Sequence, residues 1–162
     1  MPERIRPIVE FFPLDWVETP RGGKCELFSE EYDEQEHRYY AGVKKDLQAS
    51  SGIYLFYDSR GRALYAGKAA EQSLWAEMNS VYNRSRDEVQ RIKLVSHPTN
   101  NVVYRKTSEQ TRKISERAVK LHVLADYVSA YEIKPKSMIG MFEALLIRAF
   151  ANDLLNQRME AF

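Results

Sequence analysis

Apolar residues fall in short runs along the chain, and the period of each run predicts an element. The apolar run at 52–57 is followed by the turn signal Asp58-Ser59-Arg60-Gly61 and by a second apolar run at 63–67, which together predict a β-hairpin. From Gln72 the apolar positions repeat at helical spacing as far as Tyr82. We therefore expect a helix after the hairpin, packed against it through its apolar face.

The last third of the chain predicts a further strand and a further helix. Residues 126–133 alternate aromatic and small side chains and end at Lys134-Pro135, a pattern typical of a strand. Ser137 is a good N-cap for a helix whose apolar positions repeat with a period of about 3.6 as far as Ala149. Glu143 lies inside that strongly apolar helix.

The region between these elements is more polar. The cluster His97-Pro98-Thr99-Asn100 breaks the chain, and a polar helix is predicted from Ser108 through Leu121. Taken together, the elements predict a small α/β (α+β) domain in which helices flank a central, mainly antiparallel three-stranded sheet.

The length and composition fit one domain better than two, since 162 residues with 44% apolar side chains fill a single core. The apolar stretches are shorter than the roughly 18 residues that a membrane span needs. The charged N-terminus lacks the apolar segment of a signal peptide, so we expect a cytoplasmic protein without a membrane partner. Cys25 is the only cysteine, which excludes an intrachain disulfide and a thiolate metal cluster.

The net charge of +1 conceals a strong asymmetry. Residues 1–48 carry seven Lys/Arg and eleven Asp/Glu, a net of −4, and form an acidic N-terminal extension. Residues 84–120 carry ten Lys/Arg and four acids, a net of +6. We interpret 49–162 as the main domain, with a basic insertion at about 87–121. Charge alone fits both a solvated face and a DNA-binding surface.

Two tripeptides and two later residues form a recognisable set. Ten residues separate Gly52-Ile53-Tyr54 from Tyr65-Ala66-Gly67, which Lys68 follows; Asn156 comes thirteen residues after Glu143. This set resembles the GIY-YIG nuclease superfamily, with Ala66 where the family usually has Ile or Val. The resemblance spans about Ser51 to Asn156, if the basic region is an insertion.

The resemblance implies a metal-dependent endonuclease that hydrolyses phosphodiester bonds of DNA with Mg²⁺ or Mn²⁺. Tyr54 and Tyr65 would lie at the reacting phosphate, where a tyrosine orients or deprotonates the attacking water. Glu143 would hold one metal ion, and Asn156 would brace the site. Lys68 would make a secondary phosphate contact.

Phosphodiester hydrolysis itself requires groups of these kinds, independently of the resemblance to the family. Hydrolysis needs a group that accepts a proton from water, a cation beside the phosphorane oxygens and stabilisation of the leaving alkoxide. A cation near a tyrosine would lower the phenol pKa from its usual value of about 10. A single carboxylate suits Mg²⁺, which retains several waters. These residues could also have purely structural roles. Tyrosines on strands, such as Tyr54 and Tyr65, are commonly half-buried sheet residues, and Trp75 and Tyr82 are expected in the core.

The sequence departs from the family pattern at the arginine that stabilises the transition state. The family usually places it in the helix after the second tripeptide, where this chain has Trp75-Ala76-Glu77. On a helical wheel, Glu77 and Arg84 project within about 20° of each other, so a longer helix would bring Arg84 to the same flank. Arg86 is the second candidate and Arg91 a more distant one, and both are expected to contact the DNA backbone.

Two alternatives remain open from the sequence. The first is a catalytically degenerate GIY-YIG module that binds DNA or serves as a subunit, which the missing arginine favours. The second is a structural protein with a coincidental motif. Cutting both strands would require a second active site, which a homodimer would supply.

Overall fold

The computed structural model describes residues 4–15, 17–18, 24–29, 34–84, 91–96, 113–118, 120–150 and 154. The strands in these ranges are β1 (Arg4–Pro13), β2 (Val17–Glu18), β3 (Cys25–Glu26), β4 (Gly52–Tyr57), β5 (Ala63–Ala69), β6 (Arg91–Ser96), β7 (Lys113–Ala118) and β8 (Tyr127–Lys134). The α-helices are α1 (Glu34–Ala49), α2 (Leu74–Tyr82), α3 (Leu121–Leu124) and α4 (Ile139–Ala149), the last preceded by a 3₁₀ turn at Lys136–Met138.

The central sheet contains β1, β8, β4 and β5 in that order, and each neighbouring pair is antiparallel. The predicted class, an α+β domain with an antiparallel sheet between helices, is therefore confirmed. The described part of this sheet has four strands rather than three, because β1 from the acidic extension pairs with β8. The register of that pair shifts twice, and Phe11 adopts a φ of 47° beside the second shift. Such bulges disturb the alternation of side chains, so periodicity did not reveal this strand.

The hairpin of β4 and β5 is confirmed. The carboxylate of Asp58 accepts hydrogen bonds from the backbone N–H groups of Arg60 at 2.8 Å and Arg62 at 2.9 Å. Gly61 completes the turn at a φ of 76°, which a residue without a Cβ adopts at low cost. All six residues of β4 are buried, as expected for a strand covered on both faces.

Helices cover both faces of the sheet. On one face, side chains of α1, α2 and α3 pack with β4, β5 and β8; the buried residues of this cluster include Leu47, Tyr54, Phe56, Ala69, Leu74, Met78, Tyr82 and Leu121. On the other face, α4 packs through Ile139 and Ile147 against β4 and β5. The predicted packing of α2 on the hairpin is thus confirmed. No helix in the described ranges is both long and apolar enough to cross a bilayer.

Two predictions of secondary structure were wrong. The region assigned to a helix at 108–121 contains β7, which pairs with β6 from Arg91–Ala118 to Ser96–Lys113. Pairing with a partner strand outweighs the weak helical propensity of this polar segment. Ser137 is not the N-cap of α4 but lies in the 3₁₀ turn, where the backbone N–H of Met138 bonds to the Pro135 carbonyl at 3.1 Å.

Candidate active site

A cavity of about 400 Å³ lies beside the end of β5, the strand at one edge of the central sheet. Four residues that the sequence predicts for the site, Tyr54, Tyr65, Lys68 and Glu143, meet in its lining. The remaining lining residues are Gly67, Ala70, Glu71, Gln72 and Glu77.

The two tyrosines lie side by side on the face of the hairpin that α2 covers. Tyr54 pairs with Gly67 and Phe56 pairs with Tyr65 in the ladder. The rings of Tyr54 and Tyr65 stack with centroids 6.3 Å apart and planes 24° apart. Tyr54 is fully buried, and no residue in the described part of the chain hydrogen-bonds its hydroxyl group. A buried hydroxyl without a partner is costly, so its position at a cavity marks a candidate functional group.

The glycines of both tripeptides are required by close packing. A Cβ atom on Gly67 would overlap the hydroxyl group and ζ carbon of Tyr54, whose ring lies across the glycine. A Cβ atom on Gly52 would overlap the backbone carbonyl of Tyr131 on β8. Each glycine therefore has a structural reason that is independent of the resemblance.

Glu143 and Lys68 approach the cavity from the other face of the sheet. Glu143 belongs to the buried stripe of α4 that also contains Ile139 and Ile147, one helical turn away on either side. Alternation along β5 directs Lys68 towards that helix, on the side opposite to Gly67. The Lys68 Nζ lies 2.9 Å from the Glu143 Oε2, and the side chains are 31% and 9% exposed. The cavity thus extends around the edge strand β5 and is lined by residues from both faces of the sheet.

The electrostatic environment of Tyr54 disfavours its phenolate. Burial raises the pKa of the Tyr54 hydroxyl well above its usual value, and Tyr65, Glu77 and Glu143 raise it further. Arg84 acts in the opposite direction, as expected for a cation, but burial has the larger effect. The hydroxyl of Tyr54 is consequently protonated at neutral pH and is a hydrogen-bond donor.

Arg84 lies beyond the end of α2, since Asn83 is the C-cap, so the longer helix predicted from the wheel does not form. The side chain still reaches the flank of Glu77: its Nη2 lies 3.7 Å from the Glu77 Oε1 and 3.4 Å from the Ser80 hydroxyl. Arg84 lines a neighbouring cavity rather than the one that contains Tyr54.

The other predicted site residues are not placed. Arg86 and Asn156 lie outside the residues that the structure describes. Arg91 begins β6, of which the backbone alone is described. Conversely, the sequence did not single out Glu71 and Glu77, which line the cavity. Glu77 belongs to the Trp75-Ala76-Glu77 stretch, where the resembling family usually has an arginine, and that departure was the available signal.

The donor set fits a largely hydrated divalent cation better than one enclosed by protein ligands. The described residues contain no group of three or more His, Cys, Asp or Glu side chains placed to hold a metal ion. Glu143 offers one buried carboxylate, and Glu71 and Glu77 line the same cavity. Mg²⁺ commonly binds through one or two carboxylates and completes its shell with water and phosphate oxygens. Glu143, whose Oε2 lies 2.9 Å from the Lys68 Nζ, is one of three carboxylates at this cavity that could hold such an ion.

No protein-family model, curated protein or solved structure matches this chain. The chemistry of the cavity is therefore inferred from its residues and their geometry.

Proposed function

We propose that this chain is a metal-dependent endonuclease of the GIY-YIG type that hydrolyses phosphodiester bonds of DNA. The main support is that Tyr54, Tyr65, Lys68 and Glu143, which are distant in the sequence, line one cavity of about 400 Å³. Hydroxyl donors can orient the substrate, an ammonium group can neutralise phosphate charge, and a buried carboxylate can hold a metal ion.

Tyr54 acts in this proposal as a donor rather than as a strong base. Its raised pKa keeps the hydroxyl protonated, so it is suited to orient a phosphate oxygen or the attacking water. The adjacent Tyr65, which is partly exposed, supplies a second hydroxyl at the cavity. The close contact with Gly67 holds the Tyr54 ring in place before the substrate binds.

Glu143 and Lys68 have different electrostatic roles in this proposal, one as a metal ligand and the other as a phosphate contact. Glu143 would hold the Mg²⁺ or Mn²⁺ ion, which when bound stabilises the negative charge that develops on the leaving oxygen. The Lys68 ammonium group now lies against the Glu143 carboxylate and is the cation available to contact a phosphate oxygen. Movement of Lys68 to the phosphate would release a carboxylate oxygen of Glu143.

The position of Arg84 favours a second candidate function, a DNA-binding module that does not cut. Its guanidinium lies against Glu77 and lines a different cavity, so it must leave Glu77 to reach a phosphate beside Tyr54. The Arg84 side chain is 53% exposed, which leaves it free to rotate. Arg84 remains our candidate for stabilising the transition state, with Arg86 and Arg91 as DNA contacts.

A nicking assay on supercoiled plasmid DNA tests the proposed function. We expect cleavage in Mg²⁺ that stops when the ion is chelated. Glu143→Gln preserves the side-chain volume and removes the charge, so it should abolish nicking while DNA affinity, measured by fluorescence anisotropy, stays within about threefold, an energy difference below about 1 kcal/mol. Asp15→Asn makes the same chemical change at an exposed carboxylate outside the cavity and should cut like wild type.

Two outcomes would change the assignment. If Glu143→Gln nicks at the wild-type rate, Glu143 is not the metal ligand. If the wild type binds DNA but cuts it in neither Mg²⁺ nor Mn²⁺, the non-cutting module is the better description. Circular dichroism and thermal melting confirm that each variant is folded before its activity is compared.

A further inference from the structure

A second cavity, of about 390 Å³, lies along a neighbouring face of α2. Its lining combines one side of that helix with the segment around β3 and includes Lys24, Cys25, Glu26, Trp75, Asn79 and Arg84. Residues 24–26, which belong to the acidic extension defined from the sequence, therefore form one wall of this second cavity. We call this segment the wall.

Asn79 of α2 and Asn83, the C-cap of that helix, bind this wall through hydrogen bonds. The Asn83 side chain accepts a hydrogen bond from the Cys25 backbone N–H and donates one to the Cys25 carbonyl, both at 2.7 Å. The Asn79 side-chain oxygen accepts a hydrogen bond from the Leu27 backbone N–H at 3.1 Å. Because these bonds tie the segment to the helix, the second cavity is formed before any ligand binds.

The lining of the second cavity includes Trp75, which is half-buried. Phe28 packs against Trp75 edge to face with ring centroids 5.2 Å apart, and the Lys44 Nζ lies 4.9 Å from the indole centroid. The sequence led us to expect both Trp75 and Tyr82 in the core. Tyr82 is fully buried, and Trp75 is partly buried and packs against the core. A partly exposed indole beside cationic side chains is a feature of proteins that stack unpaired bases and bind the attached phosphates.

The charges of the two cavities differ. The charged residues that line the second cavity are Lys24 and Arg84 with a single carboxylate, Glu26, although Arg84 also contacts Glu77 of the first cavity. The lining of the first cavity instead contains Lys68 with the carboxylates of Glu71, Glu77 and Glu143. A phosphate group is therefore attracted more strongly to the second cavity than to the first until a metal ion is present.

Arg84 connects the two cavities. It lines the second one, and its guanidinium lies 3.7 Å from Glu77, which lines the first. A polynucleotide strand bound in both cavities would pass this ion pair between Trp75 on one side and Tyr54 on the other.

We propose that the second cavity binds an unpaired nucleotide next to the scissile phosphate, with its base on Trp75 and its phosphate near Lys24 and Arg84. This inference rests on the proposed function, since it assigns a substrate to the same site. A base inside a duplex is stacked on both sides and is unavailable to an indole. The preferred substrate class is consequently DNA with unpaired nucleotides at the cut, such as a single-stranded or branched molecule.

Fluorescence quenching tests this inference without any need for cleavage. The chain has two tryptophans, so Trp16→Phe leaves Trp75 as the single reporter. In the absence of divalent cations, a single-stranded deoxyoligonucleotide should quench Trp75. An abasic oligomer of the same length, which keeps the phosphates and lacks the bases, should bind about tenfold more weakly and quench little.

Matched variants separate the contributions of base and phosphate. Trp75→Leu should weaken binding of the normal oligonucleotide by about tenfold, as measured by anisotropy, and should remove the difference from the abasic oligomer. Lys24→Met should reduce the slope of log affinity against log salt by about one phosphate contact. Lys136→Met alters an exposed lysine of the 3₁₀ turn and should leave that slope unchanged.

The outcomes for the inference and for the proposed function are distinct. Equal affinity and equal quenching for the normal and abasic oligomers would overturn the inference, even if the protein cuts plasmid DNA. Base-dependent quenching in a protein that never cuts would support the nucleotide site and remove the nuclease assignment. The comparison of oligomers uses the folded Trp16→Phe protein, so it stays decisive if Trp75→Leu fails to fold.

Discussion

Tyr54→Phe removes one buried hydroxyl group from the candidate active site and leaves the ring that packs on Gly67. The hydroxyl has no hydrogen-bond partner among the described residues, so its burial opposes folding. We expect Tyr54→Phe to raise the free energy of unfolding while it removes nuclease activity. Ordinary core residues show the opposite pattern, in which loss of native groups lowers stability.

The magnitude follows from the cost of an unpaired group. A buried polar group without a partner costs about 1–3 kcal/mol. Because the Tyr54 hydroxyl borders a cavity, we expect the low end, about 1 kcal/mol of stabilisation. For a chain of this size that corresponds to a rise in melting temperature of about 2–4 °C. Loss of a positioned hydrogen-bond donor should lower the nicking rate by about 100-fold or more.

Tyr82 provides the matched control. It is equally buried, and its hydroxyl also lacks a hydrogen-bond partner in the described part of the chain, but it does not line the cavity. Its ring stacks on Phe56 at 5.7 Å in the core. Tyr82→Phe should therefore stabilise the protein by at least as much, about 1–3 kcal/mol, and leave nicking unchanged.

Urea denaturation of the wild type and the two variants, combined with the plasmid assay, measures both effects. The reasoning is refuted if Tyr54→Phe lowers the free energy of unfolding by 1 kcal/mol or more, a result that would reveal a hydrogen bond to the hydroxyl. Wild-type nicking by Tyr54→Phe would remove the hydroxyl from the mechanism. Equal losses of activity in both variants would indicate a structural effect instead of a chemical one.

Two further predictions concern packing and pH. Gly67→Ala places a methyl group in the space of the buried Tyr54 ring and should cost about 1–3 kcal/mol in urea denaturation, whereas the same change at Gly42, where nothing lies within 4 Å, should not destabilise the protein. Arg6→Met removes a hydrogen bond of 2.8 Å to buried Glu132 and should cost about 1–2 kcal/mol at pH 7, limited because Arg6 is 40% exposed. Arg6 is the largest cause that holds the pKa of Glu132 below its usual value, so this stabilisation exists above the unfolded pKa of about 4.3 and is lost as the pH falls through the folded value. A cost of Arg6→Met that is unchanged at pH 3 would show that the ion pair is not its source.

The sequence alone predicted those features that depend on neighbouring residues. The hairpin of β4 and β5, the helix α2 and the strand β8 each follow from a local period and a turn signal. The residues of the candidate site were also named, since Tyr54, Tyr65, Lys68 and Glu143 stand at the spacing of a known motif and line one cavity. Their chemical roles stay predictions.

Only the tertiary structure decided the features that depend on distant pairs. β1 joins β8 across more than a hundred residues, and its bulges hide the alternation that marks a strand. The 2.9 Å contact of Lys68 with Glu143 depends on how α4 packs against an edge strand. The cavity that joins Lys24 to Trp75 depends on hydrogen bonds between α2 and the segment near β3. Local propensity acts over a few residues, whereas these contacts are selected by burial and by the pairing of polar groups across the whole fold.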